Sequence, residues 1–260
     1  MAATKNIQRL EELTLNTSPA IHQAFYDGWI LRASGTDTRR ANSVTTLLPS
    51  KLPLAEKIRY CEDWYRLYGQ QPIFRLTEAN SPVELDLLLG QRGYTREVQT
   101  YVMTLDLTAE SAAGEIEVPL GAHIFERDEE QGLRDAHVLK HVEPEQQERD
   151  ARRQALWKGR QLFVSLRTHH GLAATGMARI EDGHMGIFNM RTAEKARRKG
   201  YASMLVSYLL LWGQAQGAAT GFLQVDEANA AAIAAYRKFG FSPAYSYWHR
   251  VAPKSVIARA

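Results

Sequence analysis

The chain has 260 residues, enough for one or two domains and a sizeable core, and its 45% hydrophobic and 23% charged residues exclude disordered, collagen-like and fibrous classes. Lys and Arg (32) nearly balance Asp and Glu (29), so the net charge of +3 carries no global argument for a nucleic-acid or membrane partner. The single cysteine, Cys61, admits neither an internal disulfide nor a cysteine-based metal cluster. No apolar run reaches the roughly 18 to 20 residues of a membrane span, and the N-terminus has no apolar h-region, so the cytoplasm is the expected compartment.

Residues 4–15 read as a short amphipathic helix, Phe25 to Ala33 as an alternating strand, and Ser43 to Leu48 as a second, β-branched strand. Leu54 to Tyr68 carries Leu54, Ile58, Cys61, Trp64, Tyr65 and Tyr68 at helical spacing, which puts Cys61 on the buried face as a small hydrophobe rather than a nucleophile. Strand Pro72 to Thr77, helix Pro82 to Gln91 and strand Val98 to Leu107 complete the first half. The small, polar, Gly- and Pro-containing stretch from 108 to 121 has the composition of a linker.

The second half begins with a short strand, His123 to Phe125, and two polar helices near 129–141 and 144–157. A hairpin follows, Gln161 to Arg167 and Leu172 to Glu181, then strand His184 to Thr192, helix Tyr201 to Gln216, strand Gly221 to Val225, helix Ala230 to Phe239 and strand Ser242 to His249. This order is that of an α/β (α+β) fold with helices on both faces of a central sheet. Leu76-Thr77-Glu78-Ala79-Asn80, a helix and Gly93-Tyr94 are echoed by Val225-Asp226-Glu227-Ala228-Asn229, a helix and Gly240-Phe241, which implies two related halves, 1–110 and 121–255.

Arg197-Arg198-Lys199-Gly200-Tyr201-Ala202 lies where a strand hands over to a helix. Small residues there let backbone approach a ligand, and the free N–H groups and positive dipole end of the helix, with three cations beside them, suit a pyrophosphate. Further on, Asn229 and Tyr236 are seven residues apart, about 700° of helix, so they share a face roughly 10 Å apart, a spacing that fits a rod-like, amide-bearing ligand.

Together, R-x-x-G-x-A (Arg197, Gly200, Ala202), with Thr192 five residues before it, and N-x6-Y-x3-G-F (Asn229, Tyr236, Gly240, Phe241) resemble the GNAT superfamily of acyl-CoA-dependent N-acetyltransferases, over residues 121 to 250. The resemblance implies a GNAT fold and acetyl-CoA as co-substrate. It implies that backbone N–H groups from Arg198 to Ala202 bind the CoA pyrophosphate, with Arg197, Arg198, Lys199, Gly200, Tyr201 and Ala202 forming the loop. Met190 to Thr192 then pair with the pantetheine arm, Asn229 hydrogen-bonds it, and Tyr236 is the general acid for the departing thiolate, in keeping with a phenol that is protonated at neutral pH. Attack is direct, by a neutral amine, with the oxyanion met by a backbone N–H of that strand. Glu194 and Arg198 depart from the pattern, standing where many members have proline and glycine.

Glu181, His184 and Asp226 are candidate general bases, each also readable as a solvated turn residue. His137 and His141 have a metal-compatible spacing, but Val138 stands where a zinc-protease motif needs glutamate and no third ligand follows, so they read as a polar helix face and no metal is expected. The first half resembles the degenerate half of tandem GNAT proteins: LLPSKLPL replaces the phosphate loop between its Ser43 strand and Leu54 helix, and no CoA is expected there. Its Arg39-Arg40-Ala41-Asn42-Ser43 stretch reads equally as a cleft-facing segment or a solvated strand end. The expected acceptor is a primary amine of a small molecule, an amino acid or amine metabolite, with neither nucleic acid nor membrane as partner. A protein lysine or N-terminal amine, and a non-catalytic CoA-binding sensor, are the alternatives; oligomeric state stays open.

Overall fold

A computed structural model describes residues 2–79, 81–97, 99–108 and 116–256, with the side chains of 2–5 excepted. The first half contains α1 (Ala2–Asn16), β1 (His22–Tyr26), β2 (Trp29–Ala33), β3 (Val44–Thr45), α2 (Leu54–Leu67), β4 (Ile73–Thr77), α3 (Val83–Gln91), β5 (Thr95–Arg96) and β6 (Thr100–Asp106). The second contains β7 (Ala122–Arg127), α4 (Glu129–Lys140), α5 (Pro144–Gln154), β8 (Arg160–Thr168), β9 (Gly171–Glu181), β10 (His184–Thr192), α6 (Tyr201–Ala215), β11 (Thr220–Asp226), α7 (Ala230–Arg237) and β12 (Ser242–Val251).

The expected strand from Phe25 to Ala33 is instead a hairpin. Asp27 and Gly28 both take positive φ, 41° and 82°, the geometry of a two-residue turn that reverses the chain between β1 and β2. The strand expected over Ser43 to Leu48 is cut to Val44–Thr45. Beyond it the Leu48 N–H donates to the Gly28 carbonyl, and Pro49 and Pro53 supply no ladder donor. The expected helix Leu54 to Tyr68 forms with Ile58, Cys61 and Tyr65 fully buried, and burial pushes the Cys61 thiol up, away from nucleophilic use. Val98, the expected start of the strand that forms as β6, and Asn80 of the echo lie outside the described residues.

Among the described residues twelve strands join one mixed sheet in the order β1-β2-β3-β4-β12-β6-β11-β10-β9-β8-β7, with β5 against β12, and of their pairings only β3–β4 and β10–β11 are parallel. At the centre the two segments exchange strands. The C-terminal strand β12 sits between β4 and β6, its Trp248 opposite Leu76. In turn β6 sits between β12 and β11, its Met103 opposite Leu223. About that centre the order is palindromic, β3-β4-β12 on one side and β6-β11-β10 on the other.

Three apolar clusters fill the faces. α6 and α7 cover one face of the second segment, with Leu205, Leu209, Leu210 and Ile233 against Met103, Leu223 and Phe241. α2 and α3 cover the first segment around Trp29, Phe74 and Leu89. On the face opposite α6, Leu10 and Leu13 of α1 join Leu133 of α4 against Phe163, Met177, Phe188 and Phe222, so the N-terminal helix packs on strands of the other segment. α1 also carries the buried Glu11, which accepts from Arg75 Nε of β4 at 2.9 Å and from the Tyr245 hydroxyl of β12. No helix among the described residues is long and apolar enough to cross a membrane.

Candidate active site

The parallel strands β10 and β11 part company half-way along. Their register ends at Ile187↔Leu223, although β10 runs on to Thr192 and β11 to Asp226. Asn189 causes the divergence: its φ of 52° is left-handed, and the register of β10 with β9 slips between Phe188 and Arg191. Such a bulge bends a strand away from its neighbour. The edge of β10 that faces β11 is therefore left without a strand partner beyond the bulge, and an extended, amide-bearing molecule can take that place. Met190 and Thr192 are half-buried on this stretch, with Met190 Sδ over Gly176 on the α6 face.

At the end of β10 a 3₁₀ turn, Glu194–Ala196, leads to Arg198 (φ 62°) and Gly200 (φ 78°), the N-cap of α6. Two left-handed residues two positions apart fold the backbone N–H groups into a concave nest. The first intrahelical bond is Met204 N–H to Gly200 carbonyl, so the N–H groups of Tyr201, Ala202 and Ser203 stay free of the helix ladder and add its dipole to the nest. Arg197, Arg198 and Lys199 are exposed around it, with Arg197 3.9 Å from the Glu194 carboxylate. Both side chains are exposed, so this contact stays open to solvent. The corresponding place in the first segment, before α2, holds a built-in anion: the Asp27 carboxylate accepts from the Leu52 and Lys51 N–H groups at 2.9 Å and lies 3.1 Å from Lys57 Nζ. Donors that would greet a phosphate are already engaged there.

Asn229 caps the start of α7 and Tyr236 lies in its last turn, seven residues on. Asn229 is the exposed N-cap, and its Oδ1 accepts from the Ala232 N–H at 3.1 Å, which leaves its amide donors for a ligand. Tyr236 is half-buried, edge-on to Phe241 with ring centroids 6.0 Å apart. Burial raises the pKa of its phenol and the charge of Arg191 opposes that rise. No hydrogen bond from its hydroxyl exists among the described residues.

The three candidate bases separate. Glu181 pairs with His184 at the turn between β9 and β10, six or more residues or about 20 Å of strand from Met190, so neither reaches the parted strands. Asp226 does end β11 at that opening, where its Oδ1 accepts from the Ala228 N–H at 2.9 Å. The polar face expected for His137 and His141 is also corrected. His137 is buried and donates from Nε2 to Asp150 Oδ2 at 3.0 Å, whereas His141 ends α4 in the left-handed conformation. Among the described residues no cluster suits a metal ion.

The family described as "Probable histone acetyltransferase Rv0428c C-terminal" matches residues 4–250. The chain belongs to this family, within the GNAT superfamily. This GNAT protein is 28% identical over 247 residues to the uncharacterized N-acetyltransferase YobR of Bacillus subtilis, covering 95% of this chain and 98% of that one. Its fold is shared with a GCN5-related N-acetyltransferase from Kribbella flavida (TM-score 0.69, 17% identity, 95% of each chain). A tandem GNAT protein from the clavulanic acid biosynthesis pathway is also similar (TM-score 0.65, 14% identity, 96% of this chain and 88% of that one). The bulge at Asn189 and the Asp27 plug had no sequence motif to announce them, because each depends on a φ angle or a contact between distant residues.

Proposed function

We propose that this GNAT-type N-acetyltransferase moves the acetyl group of acetyl-CoA to a primary amine of a small molecule in a ternary complex. The observation that carries the reading is the parting of β10 and β11 after Ile187 and Leu223, with the nest at Arg198 and Gly200 beyond the end of the free β10 edge. These features fit CoA: a concave set of N–H groups for the pyrophosphate, a strand edge for the two amides of the pantetheine arm, and the Asn229 amide beside them. Bound acetyl-CoA supplies an activated acyl thioester.

The chain's residues do the rest. Met190 and Thr192 offer backbone donors and acceptors that orient the arm, and an N–H on that edge meets the carbonyl oxygen as charge grows on it. Tyr236 holds a proton on its hydroxyl for the departing thiolate, since its raised pKa keeps it protonated throughout the neutral range. Asp226 is the acidic group at the opening that is left to take a proton from the amine, through water. Titrating the protein with CoA in a calorimeter, then incubating it with acetyl-CoA and a panel of amines, tests the proposal. CoA binding and an acetylated amine are expected; absence of CoA binding overturns it.

A protein acceptor is the second reading, favoured by the description of the matching family as a probable histone acetyltransferase. Mass spectrometry of histones and of lysate proteins treated with the enzyme distinguishes the two.

A further inference from the structure

On the face of the sheet opposite α6, a cavity opens beside the Asn189 bulge. Its walls are the end of α1 (Thr17, Ser18), the β2–β3 connection around Arg40, the α4 and α5 helices, and β9 and β10 through Arg179, Phe188 and Asn189. It has about 40 Å³ of room for water-sized groups, which suits a carboxylate-sized headgroup and not a whole metabolite.

The charge around it does not balance. Four cationic side chains line it, Arg40, Lys140, Arg153 and Arg179, against two carboxylates, Asp37 and Asp150. Both carboxylates are engaged: Asp150 by Arg153 at 2.6 Å and by His137, Asp37 by Lys140 at 3.6 Å. Among the described residues Arg179, 1% exposed, donates hydrogen bonds to neutral acceptors, the Gln161 side chain and the Thr17 and Gln154 carbonyls, while the carboxylates of Glu129 and Asp150 act on it from further away. Behind it Arg32, also 1% exposed, donates only to the carbonyls of Leu15, Ser18 and Arg40. Arg40 stands out further. Its side chain is half-buried and its guanidinium makes no hydrogen bond or ion pair among the described residues; burial, with the charges of Arg75, Arg153 and Arg191 close by and Tyr247 opposing them, pushes its pKa down. A guanidinium drawn part-way out of water with no carboxylate bonded to it is a ready seat for an anionic ligand.

We infer that the acceptor amine carries a carboxylate, which Arg40 binds in this cavity while the amine lies at the parted strands. The inference rests on the acetyltransferase reading and deepens it by naming the substrate class. Arg40 offers five donors in a planar fork, the geometry that matches a carboxylate two bonds at a time. Asn189 lines the cavity and also forms the bulge, so an anion seated there holds its own amino group only a few bonds from the free edge of β10. Lysine at 40 keeps the charge and loses the fork.

The test uses the full chain and calorimetry, with and without CoA, so that no turnover is needed. The probes are glycine, β-alanine and glutamate, each against its carboxamide form, and phosphoethanolamine. The carboxylates are expected to bind about tenfold or more tightly than the carboxamides. In Arg40→Gln the preference falls to within about twofold, and Arg40→Lys restores part of it. Arg40→Gln is also expected to melt no lower than the parent, since it removes a charge without stranding a partner. Equal binding of carboxylates and carboxamides, a preference that survives Arg40→Gln, or a preference for phosphoethanolamine overturns the inference. CoA binding in the absence of any acceptor reads the acetyltransferase proposal separately.

Discussion

Tyr236 and Asp150 show how burial sets the behaviour of single residues in opposite directions. The Tyr236 phenol, shielded by the α7 core and held protonated, is expected to matter in the step that expels the thiolate. Tyr236→Phe should lower kcat by about 100-fold with little change in the KM for acetyl-CoA, measured by steady-state release of free thiol. Any alkaline limb that reports this proton should disappear with it. Burial by itself would raise the pKa of Asp150, but the bond from His137 and the charge of Arg153 outweigh it and bring it down to about 2. A depressed carboxylate stabilises the fold fully above its unfolded pKa near 3.8 and loses that contribution as pH falls through about 2. Asp150→Asn, which leaves Arg153 buried without its anion, should therefore cost about 3 kcal/mol at pH 7. The difference from the parent should close between pH 4 and 2, as read by denaturant unfolding across that range.

Among elements, the loop that enters α6 depends on conformation more than on charge. Gly200 has φ of 78°, and a Cβ there would meet only Met204 Cε at 3.7 Å, so the objection to a side chain is the left-handed backbone rather than space. Gly200→Ala should weaken CoA binding by about tenfold, or ~1.4 kcal/mol, in calorimetry while leaving the far-UV circular dichroism unchanged. The loop could be read from the sequence because its donors are consecutive: Arg197 to Ala202 contribute the nest, the dipole and the charges within six residues. The helices and the second-half strands were legible for the same reason, their periodicity being local, as with Leu54, Ile58, Cys61 and Tyr65. The hairpin at Asp27-Gly28 is hard to see because apolar residues stand close on both sides of the turn, Phe25 and Tyr26 before it and Trp29 to Leu31 after it, so the two-residue Asp-Gly signal reads as a pause within one strand. Asn189 offers no signal at all. Arg40 was visible only as one of two equal readings, since its lack of a partner is a property of the folded cavity and not of the sequence around it.

At the scale of the whole molecule, the exchange of β6 and β12 couples the two segments more firmly than a linker does. Neither segment holds a complete sheet: the first lacks the strand beside β4, and the second lacks the strand beside β11. Residues 1–110 or 116–260 expressed alone should fail to give a cooperative thermal transition, whereas the two expressed together should copurify and recover the transition and CoA binding. Glu11 adds to this coupling, because a single carboxylate on α1 is shared by Arg75 of one segment and Tyr245 of the other.

The same exchange has a consequence for synthesis on the ribosome. β12 is made after every other strand of this sheet and is one of its two central strands, and it pairs with β4, whose Leu76 emerges 172 residues before its partner Trp248. A sheet with such distant pairings closes slowly and late. Until β12 has left the exit tunnel, β4 and β6 present bare inner edges, the kind of surface that recruits chaperones or other nascent chains. A stop codon just before β12 would take away the middle of the sheet rather than one of its edges.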